Sequence, residues 1–352
     1  MARIQLGCPR EYENGVLVET WLESLPTGAQ QAVAAFSDPH PPGARARAVY
    51  AATALCEVAR AWPPEQAGLE EALRELSDRL LTIGQGTAHQ PGVRNMISFT
   101  LADCTGRSDV VAERLLSRLE EAKRAVASAS TAMSAAGTAL LHDGDRVLVH
   151  DFADRSTQAV ITAAGEQGKV LHVIATACRS RRADGIRVAK EAAAVGHRAT
   201  VVTDAGIGWV MGHYGLTAAF IGADAVMSDG TLLTTPGALT VAIVGNADGV
   251  PVHAVTDLWK LLDAIEPEIQ ETNEEADPDG VPEALSWAEQ GFGFLNPLVD
   301  IVPGRYLTSY LTEFGQLEPS SVGEVARAKY GLGIPAPAPS DTDRAHGTDP
   351  PE

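Results

Sequence analysis

The residues of this chain that can do chemistry gather just behind short apolar runs. His150-Asp151 follow one run, with Arg155 and Ser156 close behind; Cys178-Arg179, with Arg181 and Arg182, follow a second; Asp204 follows a third. Gly222-Ala223-Asp224 closes a fourth, ahead of Ser228-Asp229-Gly230 and Thr234-Thr235-Pro236-Gly237, and Thr256-Asp257 closes a fifth. If the runs are neighbouring strands, several carboxylates and guanidinium groups converge on one rim. Two carboxylates in one pocket suit acid–base work, because they cannot both ionise cheaply and one then keeps a proton near neutrality. Arginine forks beside a helix N-terminus suit a phosphate; the alternative is a set of surface arginines paired with the abundant acids.

Single residues carry the same two readings. Asp151 either moves a proton or caps the following helix and pairs with Arg155. His150 is either a proton shuttle or a hydrogen-bonded structural histidine. Cys178 is either a nucleophile, its pKa depressed by Arg179, Arg181 and Arg182, or an inert packing residue. His89 sits either on a pocket wall or on a loop, whereas Trp209 and His213, one turn apart, read as packing. Gly84-Gln85-Gly86 is too short a phrase for a phosphate loop.

The elements that must position these groups are legible from periodicity. The runs RVLVHD (146–151), KVLHVIAT (169–176), ATVVTD (199–204), LTAAFIGA (216–223) and PVHAVTD (251–257) are apolar throughout rather than alternating. Helical patterns separate them: one through Ala164, then Ala183–Ala194, Gly208–Tyr214 and Pro236–Val244. Such strands fit a parallel sheet covered on both faces, a doubly wound α/β domain in which ligands bind outside the carboxyl ends of the strands. Upstream, Ala44–Trp62, Glu65–Thr82 and Asp109–Leu141 carry apolar residues at three- and four-residue spacing, so the N-terminal third is expected to be helical. Asp38–Gly43 is a loop by composition, and regular structure is expected to begin after it. The expected organisation is a mainly helical domain over 1–141, a Rossmann-like α/β domain over 142–334 and a disordered tail over 335–352. The acidic stretch after Lys260 reads as a solvated surface segment, with a recognition loop as the alternative.

Composition bounds the partners. The 352 residues are 45% hydrophobic and 21% charged, which fits a folded globular chain. With 46 acidic against 27 basic residues the net charge is -19, which repels phosphate backbones and anionic lipid, so no nucleic acid or membrane partner is expected. No apolar run nears the ~20 residues of a bilayer span, and MARIQLGCPR lacks the apolar centre of a secretion signal, so a cytoplasmic protein is expected. Cys8, Cys56, Cys104 and Cys178 are scattered singly, which signals neither a disulfide framework nor a zinc site.

Several phrases together resemble a known superfamily. VHDFADRSTQAVITAA, ATACRSRRADGIRVAKEA, ATVVTDAGIGWVM, IGADAVMSDGTLLTTPGALTVAI, GVPVHAVTDLWK and NPLVDIVPGRYLTSYLTEFG are similar, in this order and spacing, to the translation initiation factor 2B alpha, beta and delta subunits. That superfamily also holds 5-methylthioribose-1-phosphate isomerase and ribose-1,5-bisphosphate isomerase. The resemblance runs from about Gly137 to Tyr330 and more weakly through the helical region. It implies that Asp224, in its Gly-Ala-Asp phrase, is a catalytic residue and that His150 matches the histidine of a His-Cys-Asn phrase whose cysteine is catalytic. This sequence departs there: Asp151 stands in the cysteine's place, and Thr234-Thr235 replace a substrate-holding Asn-Lys pair. An Arg-Pro-Thr phrase that grips phosphate appears here as Gln90-Pro91-Gly92, followed by Arg94-Asn95, and Arg179 resembles the arginine of a Ser-Arg-Pro phrase, with one extra residue before Gly185.

The resemblance leaves two readings. The first is an aldose–ketose isomerase-like enzyme acting on a phosphorylated or modified pentose without metal or organic cofactor, with Asp224 opening the ring and Asp151 moving the proton between C1 and C2. The second is a non-catalytic sugar-phosphate- or nucleotide-binding regulatory subunit of the initiation factor type. A homodimer is the assembly that the resemblance implies.

Overall fold

The structure, a computed structural model, describes residues 19–37, 44–83, 91–102, 104–150, 155–179, 185–262, 284–297 and 299–332. Among the described residues six helices come first: α1 (Glu19–Glu23), α2 (Thr27–Phe36), α3 (Ala44–Ala61), α4 (Leu69–Ile83), α5 (Pro91–Leu101) and the 31-residue α6 (Ser108–Thr138). Strands and helices then alternate as β1 (Arg146–His150), α7 (Ser156–Glu166), β2 (His172–Thr176), α8 (Gly185–Ala194), β3 (Arg198–Val202), α9 (Ile207–His213) and β4 (Ala218–Ile221). The chain continues through β5 (Ala225–Met227), β6 (Leu232–Thr234), α10 (Ala238–Asp248), β7 (Val252–Val255) and β8 (Leu261–Leu262). It ends with α11 (Ala284–Glu289), β9 (Asp300–Val302), β10 (Ser309–Thr312), β11 (Gly315–Leu317) and α12 (Val322–Tyr330).

The main sheet has the order β11-β10-β7-β4-β1-β2-β3 and is parallel except for β11. All five expected strands are in it, so the fold is the doubly wound α/β arrangement behind a helical N-terminal region. The chain lays β2 and β3 on one side of β1 and then returns to place β4 on the other. The reversal opens a crevice at the carboxyl ends of β1 and β4, where ligands of such sheets bind.

Successive residues of β1 point to opposite faces, and both faces are covered. Val147 and Val149 pack with Val160, Ile161 and Ala164 of α7 and with Ala129 and Met133 of α6. Leu148 joins the other core, which continues through Ile174, Ala219 and Ile221 into the N-terminal helices at Leu55, Leu76, Met96 and Leu115. Helix α6 links the two cores: Val111 to Ala122 belong to the helical core, and Ala129 and Met133 lie on the far face of the sheet. Trp259 is a further tie, edge-on to Phe99 of α5 at 5.2 Å and stacked on Tyr330 of α12 at 4.2 Å.

Three features depart from the sequence expectation. Helices α1 and α2 precede the loop after which regular structure was expected; Ala29, Val33 and Phe36 of α2 are buried, with α3 as its main neighbour. Helix α5 was not anticipated, because its apolar stripe (Val93, Met96, Ile97) covers barely two turns. A second sheet, β8-β5-β6-β9, is built from strands of two or three residues, too short to carry a period. Among the described residues no helix is long and apolar enough to cross a membrane.

Candidate functional site

The crevice lies at the carboxyl ends of β1 and β4. At β4 the backbone of the Gly-Ala-Asp phrase is fixed on every side. Gly222 N–H donates to His150 O (3.3 Å), and Gly222 O accepts from Thr234 Oγ1 (2.9 Å). Lys260 Nζ donates to Ala223 O (2.6 Å), and Asp224 N–H donates to Leu233 O (2.9 Å). Asp224 is thus carried on a rigid corner between the two sheets, with its residue partly exposed. The Lys260 segment is secured in turn by Asn95 of α5, whose Nδ2 donates to Trp259 O and Leu261 O, both at 2.7 Å.

Below this corner lies a buried hydrogen-bond chain. His150 is fully buried; Nε2 faces Thr235 O at 3.3 Å and Nδ1 faces Thr176 Oγ1 at 2.7 Å. A carbonyl only accepts, so the network assigns the proton to Nε2 and makes Thr176 the donor to Nδ1. Cys178 Sγ lies 3.2 Å from Thr176 Oγ1 and continues the chain. Cys178 is itself buried and held at φ 50°, a left-handed conformation costly for a residue with a Cβ. Asp204 at the end of β3 holds that turn in place, its two oxygens accepting from Cys178 N–H and Arg179 N–H, each at 2.8 Å. Two glycines are needed for closeness: a Cβ on Gly185 would stand 1.7 Å from Thr176 O, and one on Gly237, at φ +108°, would stand 2.6 Å from His150 Cε1. Asp300 of β9 finishes this side by accepting from Gly237 N–H (2.8 Å) and Leu239 N–H (2.9 Å) at the start of α10.

The expected site residues therefore fall into groups. His150, Cys178, Thr234 and Thr235 are buried, and the first three direct their polar atoms to protein groups around the crevice floor. Asp224 stands at its edge. Arg155 begins α7 in a left-handed conformation (φ 59°) and pairs with Glu191 at 3.0 Å, Arg179 is exposed after β2, and Arg94 is exposed on α5. Asp151, Arg181 and Gln90 lie outside the described residues, as do His89, Gly84-Gln85-Gly86, the acidic stretch after Leu262 and the tail.

Sequence reasoning missed Arg45, Gln158 and Glu313. Arg45, in the first turn of α3, donates from Nη2 to Ser156 Oγ at 3.1 Å and pairs through Nε with Asp257 at 3.5 Å. Ser156 follows β1 and Asp257 follows β7, so the guanidinium reaches from one strand end to the other past the end of β4. Asp257 is fully buried beside Glu313, which follows β10. Burial, and then the charge of Asp257, push the Glu313 pKa up to about 7. No spacing in the sequence relates these residues, which meet only across the sheet. Among the described residues no group of three or more His, Cys, Asp or Glu side chains is placed to hold a metal ion.

A profile of the initiation factor 2 subunit family matches residues 41–319. The chain belongs to that family. It is 27% identical over 255 residues to the ribose 1,5-bisphosphate isomerase of Haloterrigena turkmenica, covering 69% of this chain and 76% of that one. It is 29% identical over 290 residues to the methylthioribose-1-phosphate isomerase of Desulforudis audaxviator, covering 79% and 76% respectively. Among solved structures, the translation initiation factor eIF-2B of Pyrococcus horikoshii OT3 superposes with a TM-score of 0.65 at 23% identity, covering 84% of this chain and 98% of that one. The family thus joins isomerases of sugar phosphates to initiation factor subunits, and the fold accommodates both.

Proposed function

We propose that the chain is an aldose–ketose isomerase acting on a pentose phosphorylated at C1, with Asp224 and Asp151 as its acid and base. The observation that carries this reading is the position of Asp224 at the reversal of strand order, on a backbone fixed by four hydrogen bonds, one of them from Gly222 N–H to His150 O at the end of β1. A proton-transfer group gains most from such fixed placement, because no reorganisation is needed at the moment of reaction. The names of the two isomerase relatives support the substrate class.

The proton account closes. Asp224 donates its proton to the ring oxygen as the C1–O bond breaks, and Asp151 removes the proton from C2 to give the enol phosphate. Asp151, whose carboxyl proton exchanges with solvent while the enol phosphate persists, then protonates C1 while Asp224 takes the proton of the C2 hydroxyl, which becomes the ketone. Both side chains end as they began, and the pair carries one proton throughout. His150, Thr176 and Cys178 act beneath the site by holding the strand-end turns in register.

The test is incubation with ribose 1-phosphate and related pentose 1-phosphates in deuterated water, followed by proton NMR. Deuterium entering at C1 is expected from the natural chain. Asp224→Asn and Asp151→Asn should each reduce turnover by at least about a thousandfold with an unchanged circular dichroism spectrum. Full activity of Asp151→Asn would eliminate the mechanism, and ligand binding without deuterium incorporation would instead favour a regulatory sugar-phosphate-binding subunit.

A further inference from the structure

A cleft of about 730 Å3 runs between α6 and α7. At the N-terminal end of α7 it is lined by Arg155, Gln158 and Arg45, which donates to Ser156; Val126, Ser130, Ala159 and, at the far end of α7, Glu166 are also in the lining. One residue is out of keeping with an ordinary helix–helix groove. Gln158 is 3% exposed, and neither Oε1 nor Nε2 has a hydrogen-bond partner. A carboxamide removed from water without partners destabilises a fold, and an apolar side chain of the same length would remove that cost. The groups around it suit one ligand chemistry. Arg45 and Arg155 bring two guanidinium groups, and the 11-residue α7 begins here with no side chain capping its N-terminus, so an anion is favoured. A carboxamide donates and accepts, as a sugar hydroxyl does.

We propose that this end of the cleft is a subsite for a sugar phosphate, in which Arg45 and Arg155 hold the phosphate and Gln158 binds a hydroxyl of the adjoining sugar. The ligand's identity rests on the isomerase reading above; the existence of the subsite does not. The Arg155–Glu191 pair is solvent-exposed, with side chains 61% and 31% accessible, so it exchanges readily for a phosphate contact. Gln158 is then kept for binding at the expense of stability.

Isothermal titration calorimetry with ribose 1-phosphate, with ribose and with inorganic phosphate tests this. Gln158→Met should weaken ribose 1-phosphate binding about tenfold or more, leave the affinity for inorganic phosphate within about twofold, and raise the ligand-free melting temperature by about 1–2 °C. Arg155→Gln should weaken both phosphate-bearing ligands. Ribose 1-phosphate binding that is undetectable in the natural chain, or unchanged in Gln158→Met, overturns the subsite. Binding that depends on Gln158 without deuterium exchange removes the isomerase reading and leaves the subsite standing. Unaltered KM and turnover in Gln158→Met remove the subsite and leave the isomerase.

Discussion

Glu313 gives this fold a pH dependence that a single substitution should erase. Its carboxylate accepts from Leu258 N–H at 3.0 and 3.1 Å and from the Tyr330 hydroxyl at 2.8 Å, against the buried Asp257. Its pKa rises from 4.5 to about 7, through burial first and the Asp257 charge second. Between those values the folded chain keeps a proton that the unfolded chain has released, so the contribution to stability is complete below 4.5 and is lost as pH rises through about 7. The displacement corresponds to at most about 3 kcal/mol, and water entering this partly accessible site reduces it to about 1–2 kcal/mol. His253 works in the opposite sense: burial lowers its pKa from 6.5 to about 4, so its contribution is present above 6.5 and lost as pH falls through about 4. The raw pH profile therefore mixes two slopes, and the difference between the natural chain and Glu313→Gln isolates one. The glutamine oxygen still accepts from Leu258 and Tyr330. Urea unfolding of both proteins between about pH 5 and about pH 8 should show the variant gaining about 1–2 kcal/mol on the natural chain as pH rises. A difference that stays constant, or one that grows towards low pH, refutes the assignment of the raised pKa to Glu313.

Two further substitutions probe the site's supports. Gly237→Ala forces a Cβ at φ +108° to within 2.6 Å of the buried His150 ring, and a loss of about 3 kcal/mol is expected by denaturant unfolding, with activity falling along with the fraction folded. Asp300→Ala leaves Gly237 N–H and Leu239 N–H without their acceptor at the start of α10, a loss of about 1–2 kcal/mol. Hydrogen exchange should place that loss in the first turn of α10 before any change is seen in β1 or β2.

Periodicity made the parallel strands legible, because burial on both faces demands continuous apolar runs such as RVLVH and HVIAT. It failed where an element is held by its neighbours rather than by its own pattern. Helix α5 is pinned through Asn95 to the Trp259 and Leu261 carbonyls, and the β5–β6 pair exists because β8 and β9 flank it. Site residues divide in the same way. Asp224 could be singled out because it ends a strand within a recognisable phrase. Arg45 could not: its partners Ser156 and Asp257 lie far away in the chain, and an arginine in the first turn of a helix is ordinary. The roles of His150 and Cys178 were left open by the sequence, since only burial beside Thr176 and Thr235 reveals that their polar atoms are committed to protein groups.

By itself, then, the sequence determined which segments are strands, which are helices and which residues follow the strand ends, since these depend on local spacing and on the free energy of burying apolar runs. Strand order was decided only in three dimensions, when β4 settled beside β1 and not beyond β3 and so opened the crevice at Asp224. Tertiary packing likewise put Arg45 of α3 between Ser156 and Asp257 and left the Gln158 amide buried without a partner. Pairwise spacing along a chain carries no record of such meetings, because they are set by how layers pack and not by the period of any one element.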